Sequence, residues 1–531
     1  MKTILSFLNK KLLLPFKEDL VLFLLLWVII SLPNCYLQKS NTTYVIYLSM
    51  MYYIVSYIMV VFINLNKRIA NVLKPIILIA STILCLINLF CVDKYGCLLS
   101  NDYAQIIAGT NYNEAKEFLS TYVSWKEFIL FISFTAIIIF IAFNLQKLQK
   151  IKIGRKWMAA GTVLLISIGA TYHNSGIIKE EFENKVRWNF KFDEIVDLRN
   201  HPTYPKIEES DSIHPQQIII IIGESFSSNH SSLYGYEKST NPLLAKQVDE
   251  GNLMVFKNVK SPCTHTIESF KYILNTFTVN NKDGKPWYEH TNIIETVKAA
   301  GYHTIWISNQ AEKGMFDNIP SSYAKLCDEM FFAMNKKNDD RYDGNLIYLK
   351  LPKLDEKNCI IYHLMGQHGA FKERYPQKYE LFTGKDYESY PPHQRDVLAS
   401  YDNATLYNDF VVNSIMELYK KQDAVVFYFP DHALDIFDTD PYYFGHAKNA
   451  IKVSREQGRK IPFMVYFSPL FRELHAKSVE LLEKVSDKSF CTDRFIYTVM
   501  DMAGFRFANC EETKQHSFFN RIDNASAINI K

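Results

Sequence analysis

The chain has 531 residues, 48% hydrophobic and 14% aromatic, with a net charge of +3 and a mean hydropathy of -0.09. That length accommodates more than one domain, and the near-neutral balance gives no support to a nucleic-acid partner. No basic stripe stands out beyond the lysines and arginines that flank apolar segments, so no nucleic-acid partner is expected. The average hydropathy conceals two unlike halves: nearly all long apolar runs precede about residue 172, and polar sequence with alternating strand and helix patterns follows.

Five apolar stretches come first: Leu20 to Pro33, Thr43 to Leu65, Ala70 to Cys91, Phe128 to Leu145 and Trp157 to Tyr172. The second and third reach the ~20 residues that span a bilayer, whereas the others need their flanks to do so. Their clustering at one end, with charged loops between them, favours membrane helices over core helices of a soluble domain. Lys2, Lys10, Lys11 and Lys17 precede the first stretch; Lys67, Arg68 and Lys74 flank the second-to-third turn; Lys147, Lys150, Lys152, Arg155 and Lys156 fill the fourth-to-fifth loop. These are alternate loops on one side, so the chain is expected to start inside and to export everything after residue 172. The first stretch lacks a small-residue cleavage site and is read as an anchor. The expected domains are thus a five-helix transmembrane domain over 1–172 with an outer loop at about 93–126, a charged linker over 173–216 along the membrane surface, and an exported domain over 217–531.

Nine cysteines are present, of which Cys263, Cys327, Cys359, Cys491 and Cys510 fall in the exported part. An odd set there allows two disulfides at most, with a pairing that sequence does not give. No CxxC zinc signature occurs.

The exported domain alternates strand-like runs (Ile218–Ile222, Thr304–Ile307, Cys359–Leu364, Ala424–Phe429, Pro462–Phe467) with helix-like runs that include Ile293–Ala300, Tyr401–Tyr419 and Thr492–Met502. This pattern predicts an α/β fold with a mostly parallel central sheet flanked by helices. Parallel sheets bind ligands at the carboxyl ends of their strands. The five isoleucines of 218–222 lead into Glu224, Cys359–Leu364 leads into His368, and Ala424–Phe429 leads into Asp431 and His432, with His446 shortly after. Singly, each is read more readily as structural: a helix-capping acid, a satisfied histidine, a turn. Jointly, they place acids and histidines from distant segments on one sheet edge. Carboxylate and imidazole are ligands of zinc and manganese, and a coordinated Ser or Thr hydroxyl becomes a usable nucleophile. Thr264 and Thr266, in "VKSPCTHTIESFKYIL", precede an amphipathic helix whose N-terminus suits a bound phosphate; the plainer role for either is to cap that helix.

The segments "GESFSSNHSSLYGYEKSTNPLL", "SPCTHTIESF", "YDNATLYNDFVVNSI", "PDHALDIFD" and "IPFMVYFSP" resemble the phosphoethanolamine transferases of Gram-negative inner membranes, members of the alkaline phosphatase and sulfatase superfamily. "TIE", "YHLMGQHGAFKERYP" and "YDNATLYNDFVV" look closest to the branch that decorates the phosphorylated heptose of the lipopolysaccharide core. The resemblance covers most of the chain and implies a multi-pass inner-membrane protein with a periplasmic catalytic domain. It implies that a threonine attacks phosphatidylethanolamine, releases diacylglycerol and holds phosphoethanolamine until a lipopolysaccharide core or lipid A phosphate accepts it. By motif, Glu224, Asp431 and His432, with the nucleophilic threonine, match ligands of one tightly bound zinc. His368 and His446 match histidines that stabilise substrate phosphate, with room for a second zinc. Counting from "FKNV", the lipid A enzymes' threonine falls on Thr264 and the heptose branch's on Thr266, and Thr266 is preferred. Asn309, in "WISNQ", is a further candidate for holding ethanolamine or phosphate.

The chain departs from the family where Ala433 and Leu434 replace a Gly and a following Glu, and from its lipid A branch where only Cys263 stands for a cysteine pair near the nucleophile, which weakens the lipid A assignment. A sulfatase would need Pro two residues and Arg four residues after Cys263, where His265 and Ile267 stand. Two other readings remain: a phosphoglycerol transferase of the same fold acting on an envelope glycan, and a membrane-anchored binding protein with a degenerate domain. Zinc content discriminates the last.

Overall fold

The computed structural model describes residues 18–37, 42–64, 67–95, 125–148, 198–202, 205–209, 214–310, 319–333, 342–349, 356–439, 444–445 and 456–508, with a few isolated positions besides. These residues form two compact units. In the first, helices α1 (Leu20–Leu37), α2 (Thr42–Ile63), α3 (Lys67–Tyr95) and α4 (Trp125–Leu148) follow one another. Leu20–Leu37, Thr42–Ile63 and Ile69–Val92 are long and apolar enough to cross a membrane, whereas the apolar part of α4, Phe128–Asn144, is shorter. The expectation of five spanning helices is therefore met for three among the described residues. The fifth stretch, 157–172, and most of the 93–126 loop and the 173–216 linker lie outside them. Asp19, fully buried, accepts hydrogen bonds from Asn64 Nδ2 at 2.6 Å and Lys74 Nζ at 2.7 Å, which ties the start of α1 to the end of α2 and to α3. A buried carboxylate needs such partners to offset its lost hydration.

The second unit is built on a seven-stranded sheet. Its strands, in chain order, are β1 (Gln217–Gly223), β2 (Leu253–Phe256), β3 (His303–Ser308), β4 (Glu329–Phe332), β5 (Asn358–His363), β6 (Ala424–Pro430) and β7 (Phe463–Phe467). Their spatial order is β2-β7-β6-β1-β5-β3-β4. The ladders β6–β1, β1–β5, β5–β3 and β3–β4 are parallel, but β7 runs antiparallel to both β6 and β2. The sheet is mixed, which corrects the expectation of a mostly parallel one. The reason is local: Phe463–Phe467 is buried at every position, so its sequence carries no sign of its direction. The edge strands β2 and β4 escape sequence reading because they are short and half-exposed.

Ile218 to Ile222 are wholly buried because β1 lies mid-sheet with both faces covered. Ile218, Ile220 and Ile222 join one core with Phe270 of α5 (Thr266–Ile273), Ile294 and Val297 of α6 (Ile293–Ala299), and Phe495 and Val499 of α8 (Phe495–Met502). Ile219 and Ile221 join the opposite core with Val411, Val412, Ile415 and Met416 of the 27-residue helix α7 (Pro392–Leu418). Each such side chain contributes about 1.5–3 kcal/mol relative to exposure. The register aligns Gly223 with Pro430, and His363 with both Ile222 and Ser308, so four strand ends meet along one edge. Cys327, Cys359 and Cys491 are in no disulfide among the described residues, and Cys510 lies outside them.

Candidate active site and metal centre

Glu224, Asp431 and His432 follow directly on β1 and β6, and the in-register ends of those strands bring them together. Their ligand atoms lie within 4.8 Å of one another, and all three residues are buried. Backbone contacts lock the approach: Asp431 N donates to Gly223 O at 3.1 Å, and Gln367 N to Glu224 O at 2.9 Å. Gly366, at φ 48°, lies so close that a Cβ there would sit 2.8 Å from the Glu224 backbone N and O.

His432 Nε2 lies 3.1 Å from Glu224 Oε1 and 3.6 Å from Asp431 Oδ2. Its Nδ1 faces Ala433 O at 3.0 Å, an arrangement that protonates Nδ1 and leaves Nε2 as the ligating nitrogen. Burial raises the Glu224 carboxyl, but His432 outweighs it and holds the group below the usual range. Burial, then the Glu224 charge, pushes Asp431 up to about 8. Burial lowers His432, but Asp431 and Glu224 raise it to about 9. Asp431 Oδ2 is buried with no hydrogen-bond partner among the described residues. Two carboxylates and an imidazole whose ligand atoms converge in one buried cluster, one carboxylate oxygen of it orphaned, form a donor set that suits a divalent cation. Oxygen and nitrogen donors of this kind fit zinc.

Thr266 opens α5, whose N-cap is His265 with no side-chain capping bond. Thr266 Oγ1 donates to Glu224 Oε2 at 3.1 Å and lies 3.3 Å from His432 Nε2. Thr264 Oγ1 instead meets His265 Nδ1 at 3.0 Å. His368, half-buried in the turn after β5, is near enough for its charge to lower Glu224. Asn309 is wholly buried and donates through Nδ2 to Asp343 Oδ1 at 2.9 Å; Asp343 also accepts the N–H groups of Met365 and Gly366, both at 2.8 Å. That cradle supports the turn carrying Gly366 against Glu224. His446 lies outside the described residues.

Three contacts were not anticipated from sequence. Ser225 Oγ donates to Glu224 Oε1 at 2.7 Å, and Gln310 Nε2 lies 3.4 Å from Glu224 Oε2. His363, at the end of β5, is buried, and burial lowers it to about 4 despite Glu224. The adjacency of Ser225 to Glu224 is the one signal sequence offered. Ala433 and Leu434, where the family places Gly and Glu, are buried: Leu434 packs in an apolar cluster with Phe371, Leu398 and Ile436.

The sequence profile described as Sulfatase matches residues 216–505, more than half of the chain. The chain belongs to the sulfatase family. Among relatives of this sulfatase-family chain, phosphoethanolamine transferase EptC of Escherichia coli strain K12 is 27% identical over 459 residues, 79% of this chain and 78% of that one. The crystal structure of the C-terminal periplasmic domain of Escherichia coli EcEptC, in complex with Zn, superposes with a TM-score of 0.53 at 26% identity, over 60% of this chain and 90% of that one. The integral membrane lipooligosaccharide phosphoethanolamine transferase A of Neisseria meningitidis superposes with a TM-score of 0.65 at 17% identity, over 94% of this chain and 98% of that one, a likeness of fold.

Proposed function

We propose that the protein is a zinc-dependent phosphoethanolamine transferase of the bacterial inner membrane, with a membrane domain over 1–172, a surface linker over 173–216 and a periplasmic catalytic domain over 217–531. It takes phosphoethanolamine from phosphatidylethanolamine and delivers it to a lipopolysaccharide phosphate, on core heptose or lipid A. The observation that carries this reading is the contact of Thr266 Oγ1 with both Glu224 Oε2 and His432 Nε2. The relatives named phosphoethanolamine transferase support the transferred group, and the Zn complex of one of them supports the metal.

Glu224, Asp431, His432 and Thr266 hold the ion, which when bound supplies the Lewis acidity that turns the threonine hydroxyl into a nucleophile. Thr266 Oγ attacks the donor phosphorus and gives up its proton; the phosphorus–oxygen bond to diacylglycerol breaks, and the glycerol oxygen takes up a proton. An acceptor phosphate oxygen then attacks the same phosphorus, and Thr266 regains its hydroxyl. The N–H groups at the start of α5, with His368 and His446, stabilise the charge on the transferred phosphoryl group. Asn309 holds the turn beneath the site through Asp343.

Diacylglycerol release from matched phosphatidylethanolamine and phosphatidylglycerol vesicles tests the reading. Release from phosphatidylethanolamine is expected; release from phosphatidylglycerol alone would make the protein a phosphoglycerol transferase.

A further inference from the structure

Each oxygen of the Glu224 carboxylate meets a neutral donor outside the proposed ligand set. Ser225 Oγ donates to Oε1 at 2.7 Å, and Gln310 Nε2 reaches Oε2 at 3.4 Å. Both donors are themselves fixed. Ser225 has φ 59°, a left-handed conformation that costs a non-glycine residue free energy and persists only where its surroundings impose it. Tyr401, wholly buried on α7, imposes it with one hydroxyl, which donates to Ser225 O at 2.7 Å and accepts from Ser227 N at 2.8 Å. The Gln310 amide also donates to Leu364 O at 2.9 Å, and its backbone N–H donates to Ser308 Oγ at 3.0 Å. The ends of β1, β3 and β5 thus converge on one side chain.

A free glutamate has rotamer freedom that it loses on binding a metal. A carboxylate with a donor on each oxygen has already lost its freedom to rotate. We infer that Ser225 and Gln310 are positioning residues for the metal centre: they fix the rotation of the Glu224 carboxylate, so that it faces Asp431, His432 and Thr266 before the ion arrives. This rests on the proposed metal centre. A merely structural role for Ser225 predicts the opposite behaviour, because glycine relieves the positive φ and would leave metal binding intact.

The test compares wild type, Ser225→Gly and Gln310→Met as full-length chains in detergent. Zinc affinity is read by competition with a chromophoric chelator, alongside the melting temperature of each metal-free protein. Metal-free melting temperatures close to wild type, with zinc affinity weakened 10–100-fold in each variant, are expected from the usual effect of outer-shell partners. Wild-type zinc affinity in both variants overturns the inference and leaves the metal centre standing. Failure of wild type to bind zinc removes the metal centre and the inference with it. Should Ser225→Gly not fold, Gln310→Met decides alone: wild-type affinity there is the contradicting result.

Discussion

Thr266 Oγ1 is within hydrogen-bond reach of Glu224 Oε2 at 3.1 Å, while Thr264 Oγ1, two residues earlier, lies 3.0 Å from Nδ1 of its neighbour His265. The two threonines that sequence left in competition therefore have different surroundings. Thr266→Ala is expected to abolish transfer, and Thr264→Ala to retain activity within about tenfold, or ~1.4 kcal/mol of barrier. Both variants should fold, because the loss of one hydroxyl contact costs only about 1 kcal/mol. Transfer assays on the two purified variants check this, and a fully active Thr266→Ala would contradict it.

Asp431→Asn should lower stability in zinc and not in the metal-free protein. In the metal-free protein, burial and Glu224 hold Asp431 up to about 8, so a neutral amide costs little or stabilises. In the zinc-loaded protein the same change removes a ligand, and with it the stabilisation by mass action, which is about 4 kcal/mol when zinc is 1,000-fold above its Kd. Melting curves with zinc and with chelator should show the variant falling below wild type only in zinc.

Much of this centre is legible in the sequence because it rests on a simple rule: acids and histidines that directly follow buried strands meet at one sheet edge. Glu224 after the isoleucine run, and Asp431 and His432 after Ala424–Pro430, obey it. Gln310 is hidden because its role depends on how far a long side chain reaches from the end of β3 toward β1, across β5. The side chain of Asn309 turns to Asp343, a partner 34 residues away in a 3-10 turn with no sequence signature. The direction of β7 is hidden because a strand buried on both faces reads the same both ways.

Gly366→Ala should harm both folding and metal binding. Its φ of 48° and the 2.8 Å approach to the Glu224 backbone leave no room for a methyl group. A loss of about 1–3 kcal/mol in stability is expected from strain and overpacking, together with weaker zinc binding as Glu224 is displaced. Denaturation and zinc titration check the two effects separately.

Asp409 predicts a pH dependence of stability away from the site. It accepts the N–H groups of Leu243 and Leu244, each at 2.9 Å, at the start of the helix Pro242–Asp249, yet burial pushes it up to about 7. The folded chain thus holds a proton that the unfolded chain, with its carboxyl near ~3.9, releases earlier. This contribution to stability is present below the unfolded value and is lost as pH rises toward 7, with a limiting slope of about 1.4 kcal/mol per pH unit. Asp409→Asn should flatten the stability profile between about pH 4 and 7, and melting temperatures across that range would show it.

The most direct test of the central claim is the intact mass of the full-length protein after incubation with phosphatidylethanolamine vesicles and no acceptor. The account predicts a gain of one phosphoethanolamine in wild type and in Thr264→Ala, and no gain in Thr266→Ala. An adduct that survives in Thr266→Ala would contradict it.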